Sequence, residues 1–323
     1  MKKFIILLSF VLMACQKHSQ EPPVSNNPAP ATLTTQFTLY DEHDLGHLKV
    51  DEKYYDALCE AGEHYFAGKF EQAFDEFISL AKQGSFIAQY HVGLMYHHGQ
   101  GVAQDHQKAF EWYEKSANQG FRNAQNNLAL LYINGEGVHQ DHQKALSLFS
   151  QSAKQGYPRA MHNLGVMYKN GMGVPQDDKQ AVAWYTQAVN HGHLDAVVNL
   201  ALMYRHGKGV SQDYQTAIWL YEQGLAHNHA IAQNNLALLY LEGQGVSQDY
   251  QKAFELFERS ASQGYANAKT SLGMMYHQGQ GTAQDSQKAL TLWQEACQVG
   301  DKLACNNLNI LNQTLHQEMQ KTP

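Results

Sequence analysis

The amino-acid sequence predicts an all-α fold, an alpha-alpha superhelix (solenoid) of helical hairpins, and three observations carry that prediction. Gly-x-Gly recurs six times at a spacing of 36 residues, as Gly99 and Gly101, Gly135 and Gly137, Gly171 and Gly173, Gly207 and Gly209, Gly243 and Gly245, and Gly279 and Gly281. A tyrosine stands three residues before each first glycine (Tyr96, Tyr132, Tyr168, Tyr204, Tyr240, Tyr276) and an aspartate four after each second. On either side of the turn, apolar and small residues fall at spacings of three and four, which is one face of a helix.

The chain opens with Lys2 and Lys3 and an apolar run from Phe4 to Ala14 interrupted by one serine. That run is shorter than the roughly 20 residues a spanning helix needs, so residues 1–14 read as a signal peptide. Its end, Leu12-Met13-Ala14-Cys15, resembles the lipobox of bacterial lipoproteins. The resemblance implies cleavage before Cys15, lipidation of Cys15 and a lasting membrane attachment through several acyl chains. An ordinary cleaved signal ending near a cysteine is the alternative. Gln16 is not the aspartate that favours inner-membrane retention in enteric bacteria, so the expected destination is the outer membrane. Residues 15–38, rich in Pro, Ser and Asn and without apolar periodicity, form a flexible linker.

Residues 85–300 hold the six repeats. In the first, Ala88, Val92, Gly93, Met95 and Tyr96 mark one helix, and Ala109, Phe110, Trp112, Tyr113 and Ala117 a second. The alanines at 88, 124, 160, 196, 232, 268 and 304 lack bulk where a partner helix comes close. Asp105, Asp141, Asp177, Asp213, Asp249 and Asp285 precede the second helices and are expected to be N-caps, accepting hydrogen bonds from unpaired N–H groups. They lack the companion carboxylates of a calcium loop. The Gly-x-Gly turns follow a helix and lack the lysine and hydroxyl of a phosphate loop, so glycine here ends a helix and permits positive φ.

The combined pattern, quoted as VGLMYHHGQGVAQDHQKA at 92–109 and LALMYRHGKGVSQDYQTA at 200–217, resembles the Sel-1-like repeat family (SLR), a relative of the tetratricopeptide repeats. Residues 39–84, with Ala57, Gly62, Tyr65, Gly68 and Ala73, resemble a shorter tetratricopeptide-like unit without the Gly-x-Gly-Val insertion and are expected to cap the N-terminus. Residues 301–323 restart a first helix with Ala304 and Leu308, but no second helix follows, as suits a C-terminal cap. Cys297 and Cys305 can meet across the interhelix turn, and seven intervening residues resemble the cysteine-rich secreted branch of the family, where such a pair is a disulfide. Two buried thiols are the alternative, and Cys59 is left unpaired in this scheme.

The 18 histidines, among them His97-His98, His191-Gly-His193 and His227-Asn-His229, match no zinc signature, so no metal and no cofactor is expected. No Gly-x-Ser-x-Gly elbow or isolated carboxylate pair stands outside the repeat, and no residue is nominated for catalysis. Asn127, Asn163, Asn199 and Asn235, with His91 and Ser271 in their register, form a polar column expected to bridge neighbouring helices.

Partner recognition is sought where a column varies between repeats. Gln89, Gln125, Met161, Val197, Gln233 and Lys269 share one register and Tyr90, Asn126, His162, Val198, Asn234 and Thr270 the next. With His97, Ile133, Lys169, Arg205, Leu241 and His277 they are expected to line the inner surface of the first helices, with Met161, Val197 and Val198 as its most apolar part. Without Lys2 and Lys3, 21 basic face 30 acidic residues, which excludes nucleic acid and favours a neutral or basic protein or peptide. The leading expectation is an envelope-tethered, non-catalytic scaffold for such a partner. Two alternatives come from resemblance and context: a cell-wall ligand binder or beta-lactamase-like enzyme, and an immunity or inhibitor protein for a secreted effector.

Overall fold

The computed structural model describes residues 52–321; the expected signal peptide, Cys15 and linker lie outside them. The described residues form fifteen α-helices and fall into two compact units, divided between His193 and Leu194.

The first unit contains a short 3-10 turn at Glu52–Tyr54 and then α1 (Tyr55–Phe66), α2 (Phe70–Lys82), α3 (Phe86–His98), α4 (His106–Asn118), α5 (Arg122–Asn134), α6 (His142–Lys154), α7 (Pro158–Asn170) and α8 (Asp178–Asn190). Each helix packs on the one before it, so the chain builds a stack of antiparallel hairpins. α1 and α2 lack the Gly-x-Gly insertion; Gly62, Tyr65 and Ala73 are buried there, whereas Ala57 is exposed.

The second unit runs through α9 (Leu194–His206), α10 (Tyr214–Ala226), α11 (Ala230–Glu242), α12 (Tyr250–Ser262), α13 (Ala266–Gln278), α14 (Ser286–Gln298) and α15 (Lys302–Lys321). Its stacking follows the same rule. A disulfide between Cys297 and Cys305, whose Cα atoms are 4.7 Å apart, ties α14 to α15. The expectation that Cys59 stays unpaired is corrected, because no described cysteine is free.

The core follows from small residues set opposite large ones. All seven alanines of the first-helix column are fully buried. In three hairpins a large ring from the second helix lies against a glycine of the first. Tyr113, Tyr185 and Trp293 press on Gly93, Gly165 and Gly273, where a Cβ would overlap the ring. The registers that carry alanine instead, Ala129, Ala201 and Ala237, are equally buried. Volume is thereby matched hairpin by hairpin.

The hairpin turn is held by the backbone and by two side chains. The first glycine ends its helix in the left-handed region, as at Gly99 (φ 67°) and Gly135 (φ 72°). All six aspartates accept hydrogen bonds from backbone N–H groups of their helix's first turn, for example Lys108 N–H to Asp105 at 3.0 Å and Lys252 N–H to Asp249 at 2.9 Å. In turn, each aspartate N–H donates to the carbonyl of the repeat's tyrosine, as Asp105 to Tyr96 and Asp285 to Tyr276. The glutamine before the aspartate donates to the carbonyl that follows the tyrosine, Gln104 to His97 and Gln248 to Leu241, both at 2.8 Å. Together these bonds satisfy orphan groups at both helix ends.

The second glycine makes a different contact. Gly137 (φ 67°) sits so close to the first turn of α4 that a Cβ would overlap the His106 carbonyl, and Gly101 and Gly281 stand likewise over Phe70 and Tyr250. We expect Gly137→Ala, which combines left-handed strain with a backbone clash, to cost about 3 kcal/mol or more in urea unfolding. Gly120→Ala, at φ 89° but facing open space, should cost only about 1 kcal/mol.

His91 replaces asparagine in its column, is fully buried and stacks on Phe77 with ring centroids 4.7 Å apart. Burial pushes its imidazole from 6.5 down to about 4. The unfolded chain therefore takes up a proton near pH 6.5 that the folded chain accepts only near pH 4, so stability falls as pH drops through that window. Replacing His91 by Asn should flatten the pH dependence of the urea unfolding free energy between those values by up to about 3 kcal/mol.

Candidate functional site

A first helix shows one face to its own second helix, one to the preceding hairpin where that belongs to the same unit, and one to solvent. The structure distributes the expected recognition residues unequally over these faces. Gln89, Gln125 and Gln233 are buried, as are Met161 and Val197, the last at 0% exposure. Tyr90, Asn126, Val198, Asn234 and Thr270 of the next register are buried too.

The buried glutamines are engaged in packing. Gln119, Gln155 and Gln263, each at the end of a second helix, donate to the side-chain oxygens of Gln89, Gln125 and Gln233 at 2.7–2.8 Å. Gln89 and Gln125 themselves donate to the carbonyls of Ala81 and Ala117 in the preceding second helix. Column variation follows pairing: the three repeats with glutamine in the first register carry glutamine 30 residues later, whereas Met161, Val197 and Lys269 are followed at that distance by His191, His227 and Val299. That internal covariation is a signal of packing carried by the chain itself.

The half-buried members are tied to neighbours. Arg205 donates to Glu242 at 2.9 Å and to Gln244 at 3.2 Å, and Lys269 pairs with Glu295 at 2.6 Å. His162 stacks on His193, rings 4.7 Å apart. Asn163 donates to Asn126, and Asn127 to the Tyr113 hydroxyl, so these two members of the asparagine column bridge helices.

Solvent reaches a different column, one that varies in size but never in polarity. Leu94, Leu130 and Val166 in the first unit, and Leu202, Leu238 and Met274 in the second, stand four residues after the buried Tyr90 register. Leu94 is buried; Val166, Leu202 and Leu238 are half-buried; Leu130 and Met274 are 37% and 39% exposed. Ile133 and Leu241, one helical turn further on, extend the apolar strip in their own helices and are half-buried. Polar side chains flank it, Asn127 and Asn235 on one side, Lys169, Arg205 and His277 on the other. An apolar strip with a polar margin can hold an amphipathic segment of another chain. The apolar face read from the repeat pattern, Ala88, Val92, Gly93, Met95 and Tyr96 in the first repeat, passes over this register, so periodicity alone does not reveal the column.

Comparison with known proteins agrees with the geometry. Six consecutive segments match the Sel1 repeat, at 87–121, 122–157, 158–193, 194–229, 230–265 and 266–301. A Sel1 repeat protein from Oxalobacter formigenes is similar in structure, with a TM-score of 0.70 and 30% identity over 75% of this chain and 96% of that one. A protective antigen of uropathogenic Escherichia coli with an SLR fold is also 30% identical, with a TM-score of 0.65 over 82% of this chain; the match spans 58% of that protein's length. No curated protein matches the sequence.

Burial decides how these columns tolerate charge. Val197→Asp places an unpaired carboxylate in a closed core and should destabilise the fold by at least about 4 kcal/mol. Met274→Glu, on the exposed strip, should change the urea unfolding free energy by no more than about 0.5 kcal/mol.

Proposed function

This chain belongs to the Sel1 repeat family, and we propose that it is a non-catalytic scaffold, tethered in the bacterial envelope, that holds a protein or peptide partner on the exposed apolar strips of its first helices. The Sel1 helical scaffold is suited to protein–protein interaction. The observation that carries the reading is the column Leu94, Leu130, Val166, Leu202, Leu238 and Met274, apolar in all six repeats and open to solvent at Leu130 and Met274. Buried columns are apolar because the fold requires it, whereas exposed positions are free to be polar and usually are. A preference for apolar residues at solvent-facing positions is what a docking surface needs.

The partner is neutral or basic, in keeping with the excess of 30 acidic over 23 basic residues. The tether rests on residues 1–15: a basic start, a short apolar run and Ala14-Cys15. Acylation of Cys15 would leave the folded repeats at the end of the Pro- and Ser-rich linker, clear of the lipid.

Crosslinking in intact envelopes followed by mass spectrometry tests the surface. A partner captured by the native chain should be lost with Leu130→Glu or Met274→Glu while helicity is unchanged, and undiminished capture would move recognition to another face. Fractionation tests the tether: Cys15→Ser should shift the protein from the membrane to the soluble fraction.

A further inference from the structure

The seating of the second Gly-x-Gly loop on the preceding hairpin brings three side chains together at one corner: the residue after the conserved tyrosine, the first residue of the second helix, and the middle residue of the next repeat's loop. In the first repeat these are His97, His106 and Glu136. His97 Nε2 lies 3.6 Å and His106 Nδ1 3.9 Å from Glu136 Oε2. One ligand atom from each of the three falls within 4.8 Å of the others.

Neither imidazole is accounted for by the hydrogen bonding of the fold. Nδ1 of His97 and Nδ1 of His106 are both shut off from water and have no hydrogen-bond partner. A buried ring nitrogen without a partner is destabilising, and a metal bond to Nδ1 of His106 would offset that. Glu136 is already oriented, because its other oxygen accepts from Asn134 at 3.0 Å, the kind of outer support that metal-binding carboxylates have.

We propose that His97, His106 and Glu136 bind a single divalent transition-metal ion of the zinc class, clamping the first repeat to the second. Bonds of about 2.0–2.1 Å in tetrahedral geometry put ligand atoms roughly 3.4 Å apart, within about half an ångström of the two separations to Glu136. Two imidazoles and one carboxylate suit zinc and its neighbours better than calcium or magnesium, which prefer oxygen alone. The fourth position is left to water. The ligands come from two repeats, separated by nine and then thirty residues, so no sequence signature marks them. Other repeats fill the same corner differently, Ile133, His142 and Met172 in the second and Arg205, Tyr214 and Gln244 in the fourth. The site therefore belongs to this one place in the stack.

The test uses the full chain purified without a histidine tag and stripped with a chelator. Zn²⁺ is titrated by calorimetry, and Co²⁺ serves as a visible-absorbance probe of tetrahedral coordination. One tight site per chain is expected, weakened at least about tenfold by His106→Asn and by Glu136→Gln, and unaltered by His206→Gln, an exposed histidine elsewhere. The thermal midpoint should rise with Zn²⁺ in the native chain and in His206→Gln but not in the two ligand variants. Circular dichroism confirms that each variant folds; if one does not, His97→Gln, at a register where Ile133 and Arg205 also occur, reads the same loss. Absence of a tight site in the native chain, or binding that all ligand variants retain, would overturn the proposal.

Discussion

Within each unit, successive hairpins are held where a loop glycine meets the preceding helix too closely for any side chain. The second glycine of the turn presses on the first turn of the preceding second helix, so closely that Gly101 and Gly137 leave no room for a Cβ over Phe70 and His106. Once that loop is seated, the rest of the hairpin follows. The aspartate caps the second helix with its side chain and binds the tyrosine carbonyl with its N–H, while the adjacent glutamine covers the next carbonyl. These bonds fix the shape of each hairpin, the glycine contact fixes where a hairpin sits on the one before it within a unit, and the spacing is constant at 36 residues. A constant register turns sequence positions into columns, each with one fixed environment.

Columns are what allow function to be separated from packing. The glutamine column joins consecutive elements through paired amides, and the alanine and aromatic columns fill the space between helices. What these leave to solvent on the first helices are the apolar strips, open at Leu130 in the first unit and at Met274 in the second, and beside them a corner whose chemistry changes from repeat to repeat. The strips offer area and the corners offer variety. A repeat protein can thus keep one backbone while changing what it holds.

The fold is legible in the sequence because its determinants are local and repeated: glycine at positive φ, an N-capping aspartate, small and large residues three and four apart. The site is less legible. Gln89, Met161 and Val197 vary between repeats, and variation in a sequence reads as freedom; the structure buries them, and their variation tracks the residue 30 positions on, which for Gln89 is the Gln119 amide bonded to it. Conversely nothing in the sequence distinguishes Leu130 and Met274 from the apolar residues beside them. An apolar face broader than its neighbours can cover is visible only when the neighbours are in place. The grouping of His97 and His106 with Glu136 is hidden for a related reason, since it depends on where the next repeat's loop lands.

Solvent meets the first helices at Leu130 and Met274 and in part at Val166, Leu202 and Leu238, whereas the Gln89 and Tyr90 columns are largely closed to it. Carbene footprinting of the folded chain, read by mass spectrometry at residue level, measures that directly. The account predicts labelling at Leu130, Val166, Leu202 and Met274 with Gln125, Val197 and Asn234 silent. Equal labelling of both groups, or labelling confined to the second, would contradict it.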